Sequence, residues 1–186
     1  MSNATDRSMT GTRRTAHLAV LLAVSLGLSV VERAIPMPVP FLRLGLANIV
    51  TVYAIITMGL ADALVITLLR VAIASLVTGT FLGPTFALSM GGGLAATLAM
   101  GAARSASPPL GVVGISLVGA LFHNLGQLVV VAALFAGAGP ALRLVPLATL
   151  MAAGAGLITG LIATLVIERL GHFGFDGAPG RLEGQA

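Results

Sequence analysis

The sequence is poor in charge and lacks three residue types altogether. Charged side chains make up 9% of the 186 residues, and cysteine, tryptophan and lysine do not occur. A soluble globular domain carries about 25% charged residues, so this chain cannot cover a surface that faces water. Without cysteine there is no disulfide, no thiolate metal site and no thiol nucleophile. Without lysine, Gly91-Gly92-Gly93 cannot belong to a Walker phosphate loop.

Acidic residues are equally scarce, and this limits the chemistry that the chain can perform. The three aspartates are Asp6, Asp62 and Asp176, which form no cluster able to hold magnesium and a diphosphate. The serines lack a matching histidine and aspartate for nucleophilic catalysis. We therefore predict a protein that is not an enzyme and that holds no metal ion or cofactor.

Long apolar runs dominate what is present, and the mean hydropathy is +1.05. The runs cover about 16–31, 44–60, 62–78, 85–103, 111–135 and 145–167. A helix of about 20 apolar residues spans a bilayer. We predict an all-α polytopic membrane protein with six transmembrane helices in one bundle. The bundle at 16–168 lies between a cytoplasmic segment at 1–15 and a polar tail at 169–186. Prolines 36, 38 and 40 predict an extended loop after the first helix.

All ten basic residues are arginines, and most lie near the ends of the apolar runs. This distribution favours membrane topology and contacts with lipid headgroups over binding of nucleic acid. With a cytoplasmic N-terminus, the inner segments hold Arg7, Arg13, Arg14, Arg104, Arg169 and Arg181, and the outer loops hold Arg33, Arg43 and Arg143. The excess of arginine inside predicts that both termini are cytoplasmic, in the inner membrane of a bacterium.

A few polar side chains interrupt the apolar runs and are the candidate site residues. His123, Asn124 and Gln127 lie in the fifth run, and Arg70 lies at the centre of the third. Counting residues from the helix ends puts Arg70 and His123 near the same depth, so the four side chains are expected in one polar layer. An arginine with no carboxylate expected at its depth indicates an anionic ligand. The alternative is a structural clamp made with amide oxygens and backbone carbonyls.

Three further features bear on the site and on packing, and two of them allow two interpretations. Asn48 and Thr51 form a polar pair near the outer side, where Arg43 either completes a pocket with them and Glu32 or snorkels to the headgroups. Asp62 is expected to begin the third helix and to accept backbone N–H bonds there. Small residues recur at four-residue spacing at Ala19, Ala23 and Gly27, and again at Gly156 and Gly160. Such flat faces either pack inside the bundle or dock a separate membrane subunit.

Three motifs carry a resemblance to a known family. They are the run from Leu44 to Thr51, the pair Leu69-Arg70, and His123-Asn124-Leu125-Gly126-Gln127. Over about residues 16–168 the chain resembles the Gx transporter family, which is also catalogued as heptaprenyl diphosphate synthase component I. The layout of six spans is similar to the S components of energy-coupling factor (ECF) transporters.

The resemblance implies a function as well as a fold. An S component captures a small micronutrient and docks on a transmembrane coupling subunit that carries two ATPases. Arg70, His123, Asn124, Gln127 and Asn48 would then bind the solute, which Arg70 predicts to be anionic. The small residues Ala19, Ala23 and Gly27 would dock the partner.

Two other functions stay open. The first is a non-catalytic membrane subunit associated with isoprenoid and quinone synthesis or with flavin-linked electron transfer. The second is a standalone carrier, which the lack of an obvious inverted repeat makes the weaker interpretation.

Overall fold

The computed structural model describes residues 3–34, 45–108 and 110–171, and these form one helical bundle without strands. The helices are α1 (Asn3–Ala34), α2 (Asn48–Thr57), α3 (Leu60–Val77), α4 (Pro84–Arg104), α5 (Val112–Val131) and α6 (Ala138–Gly171), with a π-helical segment at Ala132–Ala136 after α5. The proline loop, Arg43 and the C-terminal tail from residue 172 lie outside the described residues. The predicted all-α class is confirmed.

Five of the six helices are long and apolar enough to cross a membrane, and the exception is α2. The second run was predicted to span over 44–60, but its helix has 10 residues, or about 15 Å against a hydrocarbon core of about 30 Å. Helix α1 is longer than predicted, because the polar residues before position 16 continue it. Likewise, α6 begins before position 145 and contains Pro146.

The short α2 lies inside the bundle and packs against each of the five other helices. Its side chains from Asn48 to Val52, together with Ala54 and Ile55, are buried. Gly45, with φ of +74°, makes the turn into α2, and a Cβ there would lie 2.9 Å from the Asn48 amide nitrogen. Because other helices cover it, α2 is apolar in the same way as a helix in the core of a soluble protein. Hydropathy does not distinguish such a helix from a membrane span, so it did not predict the length of α2.

Two contacts fix the direction of α1 against α3. Arg14 donates to both carboxylate oxygens of Asp62, at 2.6 and 3.2 Å, and Arg70 donates to Ser29 at 3.5 Å. The earlier residue of α1, Arg14, contacts the earlier residue of α3, and the later residue, Ser29, contacts the later one. The two helices therefore run parallel. The chain must therefore return through α2. Asp62 was predicted to accept backbone N–H bonds at the start of α3, and this prediction is wrong. No side chain caps the start of α3, and the Asp62 carboxylate binds Arg14 instead.

Glycines set the separation of α4 from α5. A Cβ on Gly126 would lie 2.6 Å from the carbonyl oxygen of Gly91 and 2.8 Å from the Ala95 methyl group. The two backbones are thus in contact, as in small-residue packing between membrane helices. Gly156 and Gly160 act similarly, since a Cβ on either would lie 2.9 Å from the backbone of α5.

The outer surface of the bundle is apolar. Large side chains such as Val24, Leu150 and Leu161 are at least half exposed in the isolated chain. Apolar surface of this extent would be unstable in water, and in a bilayer it contacts lipid tails. The protein is therefore embedded in a membrane and in contact with lipids.

The close packing of α4 against α5 predicts opposite effects for two glycine substitutions. Gly126→Ala should destabilise the bundle by about 1–3 kcal/mol, because its methyl group overlaps the α4 backbone. Gly154→Ala, on α6 with no atom within 4 Å of its Cβ position, should be neutral or stabilise by up to about 1 kcal/mol. Thermal unfolding of the purified variants in detergent measures both, and equal melting temperatures would contradict the prediction.

Candidate functional site

A small polar cavity lies between α1, α3, α4 and α5, with a volume of about 30 Å³. It is bounded by the C-terminal half of α1, the C-terminal half of α3 and the first two turns of α4. Its polar lining consists of Ser29, Glu32, Arg70, Ser75, Thr80, Thr85, Ser89 and His123. A cavity of this size has room for about two water molecules. In its present shape it would take a small ligand only after its side chains adjust.

Arg70 is the cation of this cavity, and α3 presents it toward α1 and α4. Its side chain is buried, with 7% of the residue exposed. One guanidinium nitrogen donates to the Ser29 hydroxyl, and another lies 3.6 Å from the Cβ position of Gly93. Because Gly93 has no side chain, the guanidinium can lie directly against the α4 helix.

His123 approaches the same cavity from α5, across the neighbouring glycine of α4. A Cβ on Gly92 would lie 3.2 Å from Cε1 of the imidazole and 2.9 Å from the His123 carbonyl oxygen. Gly92 and Gly93 thus leave space for one polar side chain on each side of α4. Depth counting predicted that Arg70 and His123 would meet, and both do line this cavity.

The other three predicted residues lie outside the cavity lining. Asn124 is turned toward α6, where its amide nitrogen donates to the Ala148 carbonyl at 3.0 Å. Gln127 is fully buried beside Gly92, and neither end of its amide has a hydrogen-bond partner among the described residues. Asn48 is buried at the start of α2, next to Gly45. The amide oxygens of Asn124 and Gln127 therefore accept no hydrogen bond from Arg70.

Glu32 and several hydroxyl groups line the cavity, and sequence reasoning did not include them in the polar layer. No carboxylate was expected at the depth of Arg70, and the carboxylate that lines the same cavity, Glu32, comes from the C-terminal end of α1. A usable signal was present on α1, where Ser25, Ser29 and Glu32 repeat at helical spacing and all three are buried. Thr85 and Ser89 share a face of α4 for the same reason.

The residues that line the cavity lie within a region that matches a known protein family. A family model described as heptaprenyl diphosphate synthase component I matches residues 21–166, which include the entire cavity lining. The chain belongs to the heptaprenyl diphosphate synthase component I family. Searches of curated proteins and of solved structures gave no match.

Helix α1 has one exposed face and one buried face. Ala19, Ala23 and Gly27 are exposed, and no atom lies within 4 Å of the Cβ position of Gly27. The opposite face, with Ser25 and Ser29, packs into the bundle. The two small-residue stripes therefore differ, because Gly156 and Gly160 pack against α5 while the α1 stripe faces outward.

The cavity of this heptaprenyl diphosphate synthase component I protein is lined by both hydrogen-bond donors and acceptors. It offers one guanidinium, one carboxylate, an imidazole and five hydroxyl groups among the described residues. Together they can donate to an anionic group and accept from a cationic one. In the described ranges, no group of three histidine, aspartate or glutamate side chains is arranged to hold a metal ion.

The location of the cavity predicts a labelling pattern, and the cysteine-free chain is a suitable background for it. Under the predicted topology, Thr78→Cys and the cavity variant Ser89→Cys should react with a membrane-impermeant maleimide added to intact cells. Ser105→Cys, at the other end of α4, should react only after permeabilisation.

Thr97→Cys is the matched control for accessibility, because Thr97 lies on the same helix as Ser89 and is 1% exposed. It should stay unlabelled in both conditions. Labelling of Ser105→Cys in intact cells would invert the topology, and equal protection of Ser89→Cys and Thr97→Cys would mean that water does not reach the cavity.

Proposed function

We propose that this protein is the substrate-capture subunit of a micronutrient transporter, similar to an ECF S component. It would bind one small polar solute in the cavity between α1, α3, α4 and α5. The single observation that carries this proposal is that Arg70 and His123, which lie against the neighbouring glycines Gly93 and Gly92, line one polar cavity. Each side chain comes from a different membrane-spanning helix, and both are buried.

Energetics support a binding role for the cavity. An arginine at the centre of a spanning helix costs about 2.5–3.5 kcal/mol on insertion scales. The Ser29 hydroxyl accepts a hydrogen bond from the guanidinium, which offsets part of this cost. A bound solute would provide charged or polar groups to the guanidinium and recover part of the free energy.

The exposed face of α1 supports the second half of the proposal, a membrane partner. Ala19, Ala23 and Gly27 lie on the side of α1 that faces away from α2 and α3, so another helix could approach closely. The occupant we infer is the transmembrane coupling subunit of the transporter, with its two ATPases. This chain has no Walker motif of its own.

The family description favours one alternative. Under that alternative, the protein is a non-catalytic membrane subunit of an isoprenoid diphosphate synthase, and the catalytic aspartates belong to a partner. The two functions differ in what copurifies, since a transporter brings ATPases and a synthase brings a soluble aspartate-rich enzyme.

Solute capture predicts that Arg70→Gln abolishes ligand retention without unfolding the protein. Native mass spectrometry of the wild type in mild detergent should detect a stoichiometric small molecule, and the variant should retain less of it by about tenfold or more. Arg104→Gln is the control, because Arg104 is exposed at the end of α4. An empty wild type with the same melting temperature as Arg70→Gln would contradict solute capture.

Partner docking predicts that a bulky residue on the outer face of α1 blocks assembly. Ala23→Phe should leave the monomer folded but lose the coupling subunit and ATPases on affinity purification from native membranes. Leu161→Phe, on the exposed surface of α6, should retain them. Equal recovery of the ATPases with both variants would show that α1 is not the docking face.

A further inference from the structure

The charges around the cavity constrain the kind of solute that it can take. Among the described residues that line it, Arg70 is the single cation and Glu32 is the single carboxylate. Each is 7% exposed, so both lie away from bulk water. The described lining therefore carries one charge of each sign, whereas Arg70 alone had predicted an anionic solute.

The two charges are held by different helices and by different partners. The backbone N–H of Gly45 donates to the Glu32 carboxylate, which fixes this side chain at the end of α1. Arg70 extends from α3, donates to Ser29 of α1 one turn before Glu32, and lies against Gly93 of α4. A solute in the cavity would thus meet a carboxylate and a guanidinium that belong to separate helices.

We propose that the captured solute is a small zwitterion, with an anionic group for Arg70 and an ammonium group for Glu32. This inference rests on the proposed function and names its substrate class. A simple anion would be repelled by Glu32, and a simple cation by Arg70, in a medium where charge interactions are poorly screened. A zwitterion is attracted at both ends, and the hydroxyls of Ser75, Thr85 and Ser89 can satisfy its remaining donors and acceptors.

The variant Glu32→Gln isolates the charge from the structural role of this side chain. Glutamine keeps the size of glutamate, and its amide oxygen can still accept the hydrogen bond from Gly45. We expect an unchanged melting temperature for the empty protein. Retention of the solute by Glu32→Gln should nevertheless fall by about tenfold or more, since its ammonium group loses a buried partner.

Three probes with a common carbon skeleton test the class directly: β-alanine, propionate and propylammonium. Binding to the purified protein is measured by isothermal titration calorimetry, beside native mass spectrometry of whatever solute copurifies. The wild type should bind β-alanine about tenfold more tightly than either singly charged probe. Glu32→Gln should bind propionate as well as β-alanine, and Arg70→Gln should bind propylammonium as well as β-alanine.

The outcomes separate this inference from the proposed function. A copurified solute that is only anionic, or a wild type that binds propionate as tightly as β-alanine, overturns the zwitterion and leaves solute capture intact. A wild type without a copurified solute that binds none of the three probes overturns both. Selective loss of a zwitterionic solute in Glu32→Gln supports both.

Discussion

The desolvation of Arg70 is the constraint on which the rest of this structure depends. A guanidinium in the middle of a membrane bundle must be surrounded by polar atoms, because lipid offers none. The Ser29 hydroxyl of α1 accepts a hydrogen bond from the guanidinium, and hydroxyls near the start of α4 line the same cavity. These groups converge on the cavity from separate helices. The outer surface of the same helices is left to apolar side chains.

That convergence requires helices that approach more closely than bulky residues allow. Gly91 brings α4 into backbone contact with Gly126 of α5, while Gly92 and Gly93 leave room for His123 and Arg70. A methyl group at Gly126 would separate the two helices and move His123 away from Arg70. In a chain without lysine, this glycine run is unsuited to nucleotide binding. Its role in the site is to let side chains of α3 and α5 lie directly against the backbone of α4.

Depth counting along apolar runs was sufficient to predict that Arg70 and His123 share a site, because α3 and α5 are regular over their central turns. It did not include Glu32, because it placed this residue at the outer end of the first span, whereas the cavity extends to that end of α1 and Glu32 lines it. A rotation of about 100° per residue predicted that Asn124 borders the face of His123, and in the structure its side chain is turned toward α6. The length of α2 depended on tertiary burial, which periodicity does not encode.

Helix α1 links the cavity to the outer surface. Its inner face holds Ser29 and Glu32 at the cavity, and its outer face holds Ala23 and Gly27. The helix packs on α3 and α2, and the ion pair between Arg14 and Asp62 fixes its other end. Glu32 and the small residues of the outer face thus belong to one helix, so a solute held by Glu32 would bind to the same element that a partner subunit would contact.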